Sequence, residues 1–318
     1  MPAAWSRRSF LTVTAGAALV AACSSPKPGE VAKDGSVTVK HIFGETKIPA
    51  PPKRVVSAGF TEQDDLLAVG VVPIAVTDWF GGEPFGVWPW AQPKLGGAQP
   101  VVLNLNDGIQ VEQIASLKPD LIVATNAGLD QDTYTQLSAI APTIAQSGPD
   151  AFFEPWKDQA TAIGQAVFKA DDMANLITGV DTKFTDIGKN NPQFAGKKVL
   201  LLGGTFYQDS VRITAQGWRT DFLTTMGFAI PDAAGGLVPR DKMASVLDGA
   251  DVLIWTTESD EEQAALLADP IVAKLSATVQ NRNVFTGKEL AGAIAFASTL
   301  SYPVVADQLP PMISKVLA

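Results

Sequence analysis

Val111-Glu112-Gln113-Ile114-Ala115-Ser116-Leu117-Lys118-Pro119-Asp120-Leu121-Ile122-Val123 is the stretch on which the reading of this chain turns. An acidic residue opens a short helical segment, and an aspartate then opens a run of β-rich apolar residues that reads as a buried strand. The same scheme returns at Arg240-Asp241-Lys242-Met243-Ala244-Ser245-Val246-Leu247-Asp248-Gly249-Ala250-Asp251-Val252-Leu253-Ile254. In both copies a carboxylate near the helix start is favoured by the helix macrodipole, which is a sufficient structural reason for Glu112 and Asp241. A repeated helix-strand unit points to two lobes of similar design.

Strand candidates alternate with helical patterns on either side of a gap, as in an α/β protein with mostly parallel sheets. They fall at residues 54–59, 73–77, 120–125 and 143–146, then at 198–203, 251–256 and 283–286. Between Trp156 and Lys189 there is no strand candidate. There Leu176, Ile177, Val180, Phe184 and Ile187 recur at helical spacing, and Asn190-Asn191-Pro192 ends the pattern. A helix over 171–188 would run roughly 27 Å, long enough to pass from one lobe to the other. The expected division is therefore 37–155 for the first lobe, 156–190 for the connecting helical segment and 191–318 for the second lobe.

The N-terminal residues carry an address. Arg7 and Arg8 stand ahead of an apolar run that stops at Cys23, the only cysteine, after the small residues Ala21 and Ala22. This resembles a twin-arginine lipoprotein signal over 1–22, with Cys23 as the lipidated mature N-terminus and 23–36 as a polar, Pro/Gly-bearing tether. Such a protein is anchored at the extracytoplasmic face of the cell membrane. Cleavage leaves 22 basic against 33 acidic side chains, a net charge of −11, which argues against nucleic acid and against a polybasic membrane patch. With Cys23 taken by lipid no disulfide can form, and the chain is expected to act as a monomer stabilised by burial.

Glu112 through Val123 fits, without a gap, an acidic-x-x-Ile-x-x-x-Lys-Pro-Asp-Leu-Ile pattern. Together with the strand at 54–59, the helix ending at Gly70 and the lipoprotein signal, it resembles the substrate-binding lipoproteins of ABC importers for ferric siderophores, haem and cobalamin. The resemblance implies two α/β lobes with mostly parallel sheets flanked by helices, joined by a single long α-helix, with the ligand cleft between the lobes. It implies ABC permease subunits as partners, a metal chelate as ligand and no intrinsic cofactor. Glu112 matches a glutamate that faces permease arginines in that family. Asp241 is its second-lobe counterpart, with aspartate in place of glutamate and two extra residues before Asp251.

Five of the chain's 25 aromatics fall between Trp79 and Trp90, where an even spread would put about one. Their glycine and proline neighbours exclude helix and central strand, so these rings belong to a loop beyond a strand's carboxyl end, where open α/β sheets bind ligands. A wall of indoles suits a large, partly apolar, delocalised ligand. Trp79, Phe80, Trp88 and Trp90 are the rings expected to stay exposed, and Trp79 matches an aromatic ligand contact in the family. In the second lobe Tyr207 follows a strand. Trp218-Arg219 precedes a segment resembling the family's Arg-x-x-Phe-Leu-x-x-Leu-Gly helix, so Arg219 is a candidate for chelator oxygens. Trp255 and Glu258 close another strand, and Phe296 and Tyr302 are weaker candidates.

Enzymatic readings have little to stand on. The one histidine, His41, lies in an alternating early strand, and the nucleophile-histidine pairs of hydrolases and the ligand sets of zinc or manganese sites need more. No protein-held metal site is expected. A carboxylate-based hydrolase using Asp64/Asp65 or Asp241/Glu258 stays open, as does a structural envelope lipoprotein. Within the resembled class the leading ligand is a ferric siderophore. Haem, with Tyr134, Tyr207, Tyr302 or a methionine as axial ligand, and cobalamin are the alternatives.

Overall fold

The strands are β1 (Val37–His41), β2 (Gly44–Ile48), β3 (Val55–Ser57), β4 (Ala75–Thr77), β5 (Val101–Leu103), β6 (Leu121–Ala124) and β7 (Thr143–Ala145), followed by β8 (Val199–Gly203), β9 (Ser210–Ile213), β10 (Gly236–Pro239), β11 (Val252–Thr256) and β12 (Asn283–Phe285). Helices α1 (Glu62–Ala68), α2 (Val111–Ser116), α3 (Gln131–Ser138), α4 (Trp156–Ala166) and α5 (Ala170–Asn190) lie in the first half or leave it. The second half holds α6 (Asp221–Thr225), α7 (Met243–Leu247), α8 (Asp260–Ala268), α9 (Ser276–Val279), α10 (Gly287–Phe296) and α11 (Ser301–Leu317). These come from a computed structural model, which describes residues 29–231 and 235–318. The signal and tether residues 23–28, Cys23 among them, lie outside the described residues.

Both five-stranded sheets follow one plan. The first runs β5-β4-β3-β6-β7 and is parallel throughout; the second runs β10-β9-β8-β11-β12, parallel from β8 to β12 with β9 and β10 antiparallel at one edge. In each, the chain starts in the middle, builds one flank and crosses to the other, so the strand order reverses between β3 and β6 and between β8 and β11. The repeat seen in the sequence is thus a repeat of topology. Its aspartates do the same work twice: Asp120 accepts from the backbone N–H groups of Lys53 and Arg54 at 2.8 and 2.7 Å, and Asp251 accepts from that of Lys198 at 2.8 Å. Each fastens the entry of the middle strand to its neighbour. Where the two middle strands diverge stand Gly59 and Gly204, whose added Cβ atoms would lie 2.5 Å from the Asn126 backbone and 2.3 Å from that of Thr256. Only glycine fits there.

All seven strand candidates are present. The helical gap holds two helices, because the chain breaks between α4 and α5 at Phe168, which takes φ +61°. At 21 residues α5 is about 31 Å long, and it packs against α4 on the first-sheet side and α6 and α11 on the second. Its apolar stripe accounts for this, since Met173 belongs to the first core and Val180 and Phe184 to the second. Two lobes joined by a long helix are the result.

A second connection is polar and buried. Helix α1 opens with Glu62, Asp64 and Asp65, all fully inaccessible to solvent. Glu62 accepts from the backbone N–H groups of Gly59 (2.8 Å) and Asn126 (2.9 Å), tying the ends of β3 and β6 together. Asp64 and Asp65 reach the junction between α10 and α11, accepting from Ser298 Oγ at 2.6 Å and Thr299 Oγ1 at 2.8 Å. Burial pushes Glu62 and Asp64 up to about 7 and Asp65 up to about 6. With both carboxylates enclosed and engaged in this way, the Asp64/Asp65 pair presents no surface to a substrate.

Candidate ligand cleft

The carboxyl ends of both sheets open onto one cleft. From the first sheet come Phe60 after β3, the loop from Asp78 to Trp90 after β4, and Phe152 and Phe153 ahead of α4. Phe60 stacks on Trp79 at a centroid distance of 5.5 Å and on Phe152 at 5.7 Å, while Trp79 meets Phe80 edge-on at 4.6 Å and Phe153 at 4.8 Å. Phe296, from the end of α10, touches Trp79 and Phe80 at 5.7 and 6.1 Å, closing the floor between the lobes. Phe152 is 44% exposed, and Phe60, Trp79, Phe80 and Phe153 are half-buried. A continuous wall of π-faces results.

From the second sheet come the ends of β8 and β11, strand β9 and the segment before α6. Leu201, Gly203, Arg212, Thr214, Arg219, Thr256 and Glu258 line a cavity of about 180 Å³ that is completed by Ile294 and Ala295 of α10 and by Phe80 from the other lobe. Arg219 lies over the rings of Trp218 and Phe153, its guanidinium carbon 4.4 and 4.7 Å from their centroids. Arg212 lies over Tyr207 at 5.9 Å. Among the described residues, neither guanidinium has a carboxylate within ion-pair distance. Burial lowers the Arg219 pKa from its ordinary value, yet a guanidinium stays charged at any physiological pH. In a chain of net charge −9 this cavity therefore carries a local excess of positive charge. Guanidiniums laid on π-faces, Arg219 half-buried and Arg212 exposed, favour anionic oxygens, which they can take in pairs.

Four expected site residues lie elsewhere. Trp88 is 1% exposed: its ring packs on Gly292 of α10, where an added Cβ would sit 2.4 Å from the ring, and stacks on Trp90 at 4.9 Å. The ion pair Lys288–Glu83 at 2.7 Å holds the aromatic loop to α10 over that ring. Trp88 is thus the anchor of the loop and no part of its exposed wall. Trp90 donates from Nε1 to Asp64 at 2.8 Å and is turned toward the interior. Trp255 is fully buried because strand parity sends Leu253 and Trp255 to the α7–α9 side and Ile254 to the other, and its Nε1 donates to Asn283. Tyr302 is enclosed by Trp156, Phe184 and Phe222. Of the haem-ligand candidates, Tyr134 is engaged with Thr46 and His41 beside β1 and β2, and Met173, Met226 and Met243 are core residues. Tyr207 is 51% exposed and stands beside Arg212.

Arg212, Phe60, Phe152 and Phe153 escaped the sequence reading. Arg212 sits in a four-residue strand next to the sheet edge, and the phenylalanines carry no local signal beyond following, or lying near, strand ends. Glu112 and Asp241 are both exposed, at the start of α2 and just ahead of α7; Asp241 lies 3.7 Å from Lys242.

Two α/β lobes of one topology, a joining helix and a shared cleft at both switch points define a two-lobed solute-binding protein. The chain belongs to the periplasmic binding protein family, whose model matches residues 55–290. A crystal structure of a periplasmic solute binding protein from Mycobacterium smegmatis (strain MC2 155) is 72% identical, with a TM-score of 0.89, covering 90% of this chain and 100% of that one. The Bacillus subtilis (strain 168) lipoprotein YhfQ, named for an ABC transporter substrate-binding role, is 32% identical over 228 residues, 71% of this chain and 68% of its own length. YfiY of the same strain, named a probable siderophore-binding lipoprotein, is 30% identical over 260 residues, 79% of this chain and 73% of its own length.

Proposed function

We propose that this protein captures a ferric siderophore outside the cytoplasmic membrane and delivers it to an ABC permease. The observation that carries the reading is Arg219, a cation laid on Trp218 and Phe153 opposite Trp79, with no carboxylate partner, at the mouth of a cleft walled by aromatics. A chelate that wraps iron in anionic oxygens and presents flat organic arms satisfies both halves of that site. A neutral sugar would leave the guanidiniums without an anionic partner. The likeness to a siderophore-binding lipoprotein supports the same ligand class. In this reading residues 1–22 are removed, Cys23 carries the lipid and 23–36 tether the folded body, while Glu112 and Asp241 meet the permease from the two lobes. The protein binds and releases its ligand without turning it over.

Titration of tryptophan fluorescence with ferric siderophores, haem and cobalamin tests the site. Stacking and burial of one indole contribute on the order of 1–3 kcal/mol, so Trp79→Ala should weaken the bound chelate roughly ten- to a hundredfold. Absence of quenching by every iron chelate would overturn the reading, and quenching by haem with a Soret shift that Tyr207→Phe removes would turn it to haem.

A further inference from the structure

The cavity on the second lobe is bipolar. Arg212 and Arg219 line it together with Glu258, yet none of the three is within ion-pair distance of another among the described residues. Glu258 is held in place by its own backbone: Ser259 caps α8 by accepting from Glu262 N–H, and the Glu262 carboxylate reaches back to accept from Glu258 N–H at 2.6 Å. Among the described residues the Glu258 carboxylate has no hydrogen bond or ion pair, and the residue is exposed at the lip of the cavity. The charged groups that act on it electrostatically are Glu262, engaged in the cap, and Lys288, engaged with Glu83. A site meant only for a polyanion would gain nothing from a carboxylate beside its two guanidiniums, since like charges at close range oppose binding.

The geometry points to a bipolar chelate: anionic oxygens taken by Arg212 and Arg219, and an ammonium or other hydrogen-bond donor on the same ligand taken by Glu258. This rests on the cleft being a ferric-chelate site and narrows the chelate. Neutral chelates forgo the guanidiniums, and polyanions without a donor meet Glu258 unpaired. Glu258 is then a selectivity residue, improving the fit of one class by repelling another.

The test uses a ferric tris-catecholate trianion, the same chelate bearing one pendant primary ammonium group, and a neutral ferric tris-hydroxamate, each titrated by tryptophan quenching. Wild type should prefer the ammonium-bearing trianion over its parent by roughly tenfold, the scale of one charge-assisted hydrogen bond. Glu258→Gln should bind the parent more tightly and the ammonium-bearing form more weakly, collapsing the preference, and its binding of the parent shows that it is folded. Arg212→Gln and Arg219→Gln should each weaken both trianions by roughly tenfold. An unchanged preference in Glu258→Gln, or a neutral chelate bound as tightly as the trianions by wild type, would overturn the inference while leaving the siderophore reading intact. Failure of all three ferric chelates to bind would remove that reading itself.

Discussion

Asp64→Asn should remove a large share of the protein's stabilisation by acid. Asp64 is fully buried; Oδ2 accepts from Trp90 Nε1 and Ser298 Oγ, whereas Oδ1 has no partner among the described residues, and no cation there is within ion-pair distance. Burial raises the carboxyl from 3.8 to about 7, with Asp65 next to it adding repulsion. The folded state therefore binds this proton more tightly than the unfolded state does. The stability it contributes is fully present below about 3.8 and is lost as pH rises to about 7. From pH 5 to pH 7 lie two pKa units, each worth about 1.4 kcal/mol, so wild type should lose roughly 2–3 kcal/mol from Asp64 alone on going from pH 5 to pH 8. Asparagine cannot titrate, its carbonyl can accept the same two bonds, and its unpaired amide costs roughly 1–3 kcal/mol at every pH. The stability difference between wild type and variant should thus shift by roughly 2–3 kcal/mol across this range, moving toward the variant at high pH. Urea unfolding at pH 5, 6, 7 and 8, at constant ionic strength, measures it. Glu62, Asp65 and Glu154 act in the same direction, and His41, lowered by burial, in the opposite one, but all four are common to both proteins. A difference that stays constant with pH would refute the argument.

Trp255→Ala should cost about 3–5 kcal/mol of stability and leave chelate affinity unchanged below the new melting temperature; weaker binding would place Trp255 in the site after all. Glu112→Ala combined with Asp241→Ala should lower uptake by cells while the purified protein binds its ligand normally, and full transport by the double variant would remove these residues from docking.

Central strands were legible because burial on both faces writes them as short continuous runs of Val, Ile and Leu, and the seven found this way are the middle of each sheet and their parallel neighbours. Three escaped. Strand β5 is short, with Val101 and Val102 exposed, and β9 and β10 form an antiparallel edge in which Arg212 and Leu237 face solvent. An edge strand with one wet side leaves too weak a pattern over four residues. The aromatic loop was legible as a loop, from its glycines and prolines. Which rings face the cleft was not, because Gly292, two hundred positions away, decides that Trp88 is anchored. Trp255 was placed by its position at a strand end when the alternation of Leu253, Ile254 and Trp255 governs its direction. Arg212 could be found only through the fold, which brings β9 beside the ends of β8 and β11.

Native mass spectrometry of the protein purified from its own envelope under iron limitation tests the central claim most directly. The account predicts an added mass carrying the isotope signature of iron in a low-molecular-weight chelate, lost on treatment with a reductant and a competing ferrous chelator. A protein that emerges with an iron-free sugar or peptide, or that takes up no ferric chelate when one is added, would contradict it.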